Sequence, residues 1–139
     1  MKNTLNMEIK GHLQIVKTKG GEKEVVYDDH NALVTNYKNI IRHCIAGDAT
    51  HFLDKIRVLK LGADLANTSI NQVEYIALTD NEVKLVATFD ETSFNDTFDE
   101  IYLYSAGGGD FSKVTGLSIN KDNQTQLTIS WTLKIINQP

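Results

Sequence analysis

The sequence predicts a mainly β domain, an antiparallel β-sandwich of about seven to eight strands with one α-helix at about residues 32–46. Three observations predict it. In the stretch QLTISWTLKII, residues 126–136, Leu127, Ile129, Trp131, Leu133 and Ile135 alternate with Thr128, Ser130, Thr132 and Lys134, the pattern of a strand with one core face and one polar face. Shorter stretches with the same alternation recur along the chain, separated by glycine-rich or polar turns. Only one stretch, NALVTNYKNIIRHCIAG at 31–47, spaces its apolar residues by three and four, as one face of a helix requires.

Taken in order, MEIKGHLQIVK places Met7, Ile9, Leu13 and Ile15 on alternate positions and reads as a half-buried strand. KGGEK follows as a hairpin turn, and EVVYDD as a short returning strand. Asn31 is then the expected helix N-cap and Gly47 the expected residue after its end, with Cys44 on the buried stripe. DKIRVLKLG reads as a strand whose alternation slips between Val58 and Leu59, which a bulge or burial on both faces would produce. ADLANTSINQ reads as loop. VEYIALTDNEVKLVATFDE reads as two strands joined at TDNE, the second setting Val83, Leu85, Ala87 and Phe89 on one face. FDEIYLYS and TGLSIN flank the glycine tip AGGGD as further strands, ahead of the long final one.

At 139 residues the chain has the length of one domain, expected over 7–139, with a flexible arm at 1–6. A net charge of −4 and no basic stripe argue against a nucleic-acid partner, because phosphate binding needs clustered Lys and Arg. Apolar runs of a few residues argue against a membrane partner, and the first residues lack the apolar core of a signal peptide, so synthesis in the cytoplasm is expected. A single cysteine, Cys44, excludes an intrachain disulfide and a Cys-rich zinc site.

AGGGDFSK lacks the G-x-x-x-x-G-K-[ST] order of a phosphate loop and runs into a strand, so it reads as a hairpin tip. His43 and Cys44 are neighbours on the helix and point about 100° apart, which disfavours a catalytic dyad. His12, His30 and His51 show no metal-ligand spacing, and DDH at 28–30 reads as a solvated turn leading into the helix. FDETSFNDTFDE lacks the order of a calcium loop; its Phe89, Phe94 and Phe98 are expected to anchor the connection to the core or to a neighbouring subunit. No G-x-S-x-G elbow occurs. The expectation is a protein that is not an enzyme, with no catalytic residue, no cofactor and no metal.

Two stretches carry a resemblance. HNALVTNYKNIIRHCIAGDATHFLDKIRVLKLG has an asparagine opening a helix and then a strand closing in Leu-Gly; DEIYLYSAGGGDFSKVTGLSINKDNQTQLTISWTLKII has an acidic residue before an apolar strand, a glycine tip and a long L-T-I-S-W-T-L finish. Over roughly residues 31 to 136 this order resembles the small tail-fibre and tail-collar type virion proteins of tailed bacteriophages. The resemblance implies a virion structural protein, made in the bacterial cytoplasm, that forms a homo-oligomer such as a trimer or ring and binds other virion proteins. It would sit at the tail fibre base, baseplate, collar or capsid. The assembly contacts expected on this reading include Gly107, Gly108 and Gly109 at the tip, Tyr102 and Tyr104 on the preceding strand, and Phe94. The alternative is a carbohydrate- or receptor-binding sandwich that uses Tyr102 and Tyr104.

Overall fold

Alternation of apolar and polar side chains builds nearly the whole molecule. The structure is a computed structural model and describes residues 6–76 and 81–138. Its elements run β1 (Asn6–Lys19), β2 (Glu22–Leu33), α1 (Tyr37–Ile45), β3 (Lys55–Lys60), β4 (Ala63–Tyr75), β5 (Glu82–Phe89), β6 (Asp96–Phe98), β7 (Glu100–Ser105), β8 (Gly109–Val114), β9 (Ile119–Lys121) and β10 (Thr125–Gln138). Eight strands pair antiparallel in the closed order β1-β10-β5-β4-β3-β7-β8-β2, while β6 and β9 form a separate pair.

The closed sheet is sandwich-like because two long strands each serve both halves. β2 pairs with β1 as far as Asn31 and with β8 at Ala32 and Leu33. β4 pairs with β3 from Ala63 to Ser69 and with β5 from Ile70 to Tyr75. A register shift at Ile70/Gln72 lies at the second change of partner, and an extra residue in one strand is what bends it round such a corner.

Gly20 and Gly21 turn the first hairpin with φ of 57° and 84°, two positive values that match the right-handed twist of the flanking strands. The slip in β3 is a bulge between Val58 and Leu59, and all of Ile56, Val58 and Leu59 are buried. Leu13, Ile15, Ala87, Phe89, Ile101, Leu103, Leu127, Ile129 and Trp131 fill the interior and are fully buried. Each fully buried Leu, Ile or Phe contributes about 1.5–3 kcal/mol of transfer free energy.

The two ends of the barrel are closed differently. At one end, near the β1–β2 turn, β6 and β9 lie across the opening. Phe98 is fully buried there and meets Phe94 edge to face at 6.0 Å, and Phe94 meets Phe89 the same way at 5.5 Å. Lys121 is also fully buried. Its Nζ donates to the carbonyl oxygens of Glu91 (3.1 Å), Phe94 (3.0 Å) and Asp122 (3.1 Å), so each ammonium proton has an acceptor. Burial holds its pKa below the ordinary lysine value. At the other end α1 covers part of the opening through Ile40, with Tyr37 meeting Phe111 edge to face at 6.2 Å.

The helix is shorter than its spacing predicts. It begins at Tyr37, and residues 31–33 finish β2 instead. Asn31 therefore lies opposite Gly11 in a strand and is not an N-cap; Asn36 holds that position. Leu33 suits either reading, because an inward strand position and a helical stripe both ask for an apolar residue there. Gly47 does follow the helix end, with φ of 79°. Cys44 is exposed rather than buried, as is Ile45, because the last turn of α1 runs past the barrel rim. Asp28, Asp29 and His30 lie within β2 and not in a turn, and residues 63–72 are the strand β4 and not a loop. The expected arm at 1–6 and the expected join at TDNE fall largely outside the described residues.

Candidate functional site

The segment after α1 folds back on the helix, and this local geometry gathers the polar cluster. Gly47 N–H donates to the Cys44 carbonyl (3.1 Å) and Asp48 N–H to the His43 carbonyl (2.9 Å), the paired bonds of a Schellman motif. That motif puts the second residue after the cap beside the third from the helix end. In this motif the two frequently make an apolar contact; here they are His43 and Asp48. His43 Nδ1 lies 2.9 Å from Asp48 Oδ2, and His51 Nδ1 lies 3.2 Å from the same oxygen. The imidazole rings stack with centroids 3.9 Å apart and planes 8° from parallel.

Asp48 is held from its other side. Thr50 donates to Oδ1 through both its hydroxyl (2.6 Å) and its backbone N–H (3.0 Å). These bonds, followed by the one from His43, hold the Asp48 carboxyl well below the ordinary carboxylate pKa. The carboxylate is thus ionised and oriented, with Oδ2 presented to both imidazoles. Among the described residues, His43, Asp48 and His51 are the one group of at least three such side chains whose donor atoms all lie within 4.8 Å of each other.

The glycine tip is the platform under this cluster. A Cβ on Gly107 would overlap the carbonyl oxygen of Thr50, and one on Gly108 would lie 2.8 Å from His51 Cδ2 and 3.2 Å from Ile40 Cγ1. Glycine is required here for close approach. Asn36, instead of capping α1, donates from Nδ2 to the carbonyls of Gly108 (2.9 Å) and Asp110 (3.0 Å). Ser105 Oγ donates to the Thr50 carbonyl at 3.3 Å, Asp54 Oδ1 accepts from Ala106 N–H at 2.9 Å, and Cys44 Sγ donates to the His51 carbonyl at 3.4 Å. The tip is the turn between β7 and β8, and the surface it packs against belongs to its own chain.

The remaining expected residues lie in separate places. Tyr102 and Tyr104 face outward on β7, beside Arg57, whose guanidinium carbon lies 4.5 Å and 5.5 Å from the two ring centroids. Arg57 Nη2 donates to Asp110 Oδ1 (3.0 Å) and Oδ2 (3.1 Å), and Nη1 to Asp64 Oδ1 (3.2 Å). Phe94 is half-buried within the opposite end of the barrel. His12 and His30 face each other across β1 and β2 with ring centroids 4.8 Å apart, and His12 Nε2 bonds Asp28. Sequence spacing left the four histidines scattered; the fold pairs them two by two.

An apolar recess of about 230 Å³ opens beyond α1, where β1, β10, β5 and β4 run past the filled core; its lining includes Ile9, Tyr75, Val83, Leu133 and Ile135. Tyr75 is 80% exposed, and beside it Val73 is 53% and Ile135 46% exposed. Ile9 also borders a cleft of about 500 Å³ lined by Lys10, His30, Leu33 and Tyr37. Comparison of the chain with protein-family models, with curated proteins and with solved structures returns no match.

Proposed function

We propose that the chain is a non-enzymatic structural protein of a tailed-bacteriophage virion, placed at the tail fibre base, baseplate, collar or capsid, that forms a homo-oligomer and binds neighbouring virion proteins. The observation that carries this reading is the apolar open end of the barrel. Val73, Tyr75 and Ile135 continue the inward face of their strands beyond the core and lie exposed, and contiguous exposed apolar surface marks a protein contact. The rim carries both charge signs, with Lys134 Nζ 3.5 Å from Glu82, which suits a surface that meets a second copy of itself. The carbohydrate-binding alternative has less support, because Arg57 occupies one face of Tyr102 and Tyr104.

Sedimentation of the full chain tests the proposal. The wild type is expected to be a trimer or larger ring, and Tyr75→Glu combined with Val73→Asp is expected to be monomeric with an unchanged circular dichroism spectrum. A wild type that stays monomeric at high concentration, and is missing from purified particles by mass spectrometry, overturns it.

A further inference from the structure

We propose that His43, Asp48 and His51 form a binding site for a divalent first-row transition metal of the zinc type. Two imidazole nitrogens and a carboxylate oxygen are a common ligand set for such ions, and three protein ligands leave a fourth position open. With bonds of about 2.0–2.1 Å in a tetrahedral arrangement, donor atoms stand about 3.3 Å apart. The two His–Asp separations, 2.9 and 3.2 Å, are already close to that value.

The supporting shell is also in place. A metal-ligating carboxylate needs its second oxygen fixed, and Thr50 fixes Asp48 Oδ1 with two hydrogen bonds. Asp48 itself is set by the Schellman turn, and the Gly107–Gly108 backbone supports the 50–51 segment from beneath. His51 is the most enclosed of the three, with 15% of its side chain exposed, whereas His43 is 33% exposed. The open side of the site therefore lies toward His43 and solvent.

One adjustment accompanies metal uptake. Nearly parallel ring planes do not direct both Nδ1 lone pairs at a single point, so one ring must turn. Rotation about the terminal histidine torsion is broad and soft, and His43 has the room to make it. Metal binding at both Nδ1 atoms requires the tautomer with the proton on Nε2, and the metal then sits beside Asp48 Oδ2.

The test is titration of the full chain with Zn(II) by calorimetry and with Co(II) by visible absorption. One saturable site per chain is expected, with the ligand-field bands of four-coordinate Co(II). His43→Ala and His51→Ala should each weaken binding at least tenfold, and Thr50→Val, which loosens Asp48 without removing a ligand, about tenfold. His12→Ala with His30→Ala should leave the isotherm unchanged. The proposal is overturned if the wild type takes up neither ion saturably, if the His43→Ala/His51→Ala double variant, folded by circular dichroism, binds as the wild type does, or if binding follows His12 and His30 instead.

Discussion

The two ends of the barrel solve the same problem with different chemistry. At the β6–β9 end an aromatic series, Phe89, Phe94 and Phe98, fills the opening, and a buried lysine ties the 91–94 segment and Asp122 together through three carbonyls. At the α1 end one short helix covers only part of the opening, a glycine tip seats the following segment by backbone approach, and the rest is left as exposed apolar surface. The first end is sealed by side-chain volume and the second is held by hydrogen bonds and close backbone packing. Stability is therefore concentrated at one end, and surface free to meet other molecules at the other.

The largest expected effect lies at the sealed end. Phe98→Ala should lower unfolding free energy by about 3–5 kcal/mol in denaturant titration, from lost burial plus the cavity left behind. Gly107→Ala should cost about 1–3 kcal/mol by the same measurement, because its methyl group must displace the Thr50 carbonyl. A glycine substitution costing more than the phenylalanine one would reverse the ranking of the two ends. The smallest effect concerns Asp48. Its folded pKa lies below the ordinary carboxylate value of 3.8, so the stability it adds is complete above that pH and declines as pH falls further. Stability measured against pH should then drop more steeply in acid for the wild type than for Asp48→Asn, the two curves converging at the acid limit. Parallel curves would show that the Thr50 and His43 bonds add nothing to the folded state.

Much of the barrel was legible in the sequence because burial and periodicity coincide there. The face of β10 from Leu127 to Leu133, the set Val83, Leu85, Ala87 and Phe89 on β5, the Gly20–Gly21 turn and the bulge at Val58 all follow from local pattern. Residues 63–72 of β4 read as loop because their side chains lie mostly exposed or half-exposed; their strand character comes from pairing with β3 and β5, which composition does not report. The His43–Asp48–His51 cluster is not legible in the sequence spacing, because a separation of five is not a helical contact distance. A signal was present in HCIAGD: a glycine just past a helix end brings the residue after it onto the third residue before the cap. The Lys121 cage had no local signal, since its acceptors are carbonyls from two separate segments.

β10 pairs with β1 along its whole length, from Lys19↔Thr125 to Asn6↔Gln138, and with β5 on its other side. It is the last described strand in the chain and the one that joins the first to the middle. Until it is in place, β1 and β5 each present an unpaired edge, and the ring of strands cannot close. Pairing between segments so far apart makes folding slow, on the order of milliseconds to seconds for β proteins of this kind. A chain that lacks β10 exposes both of those edges to pairing with other chains, so chain shortening that reaches Trp131 should favour aggregation over closure of the barrel.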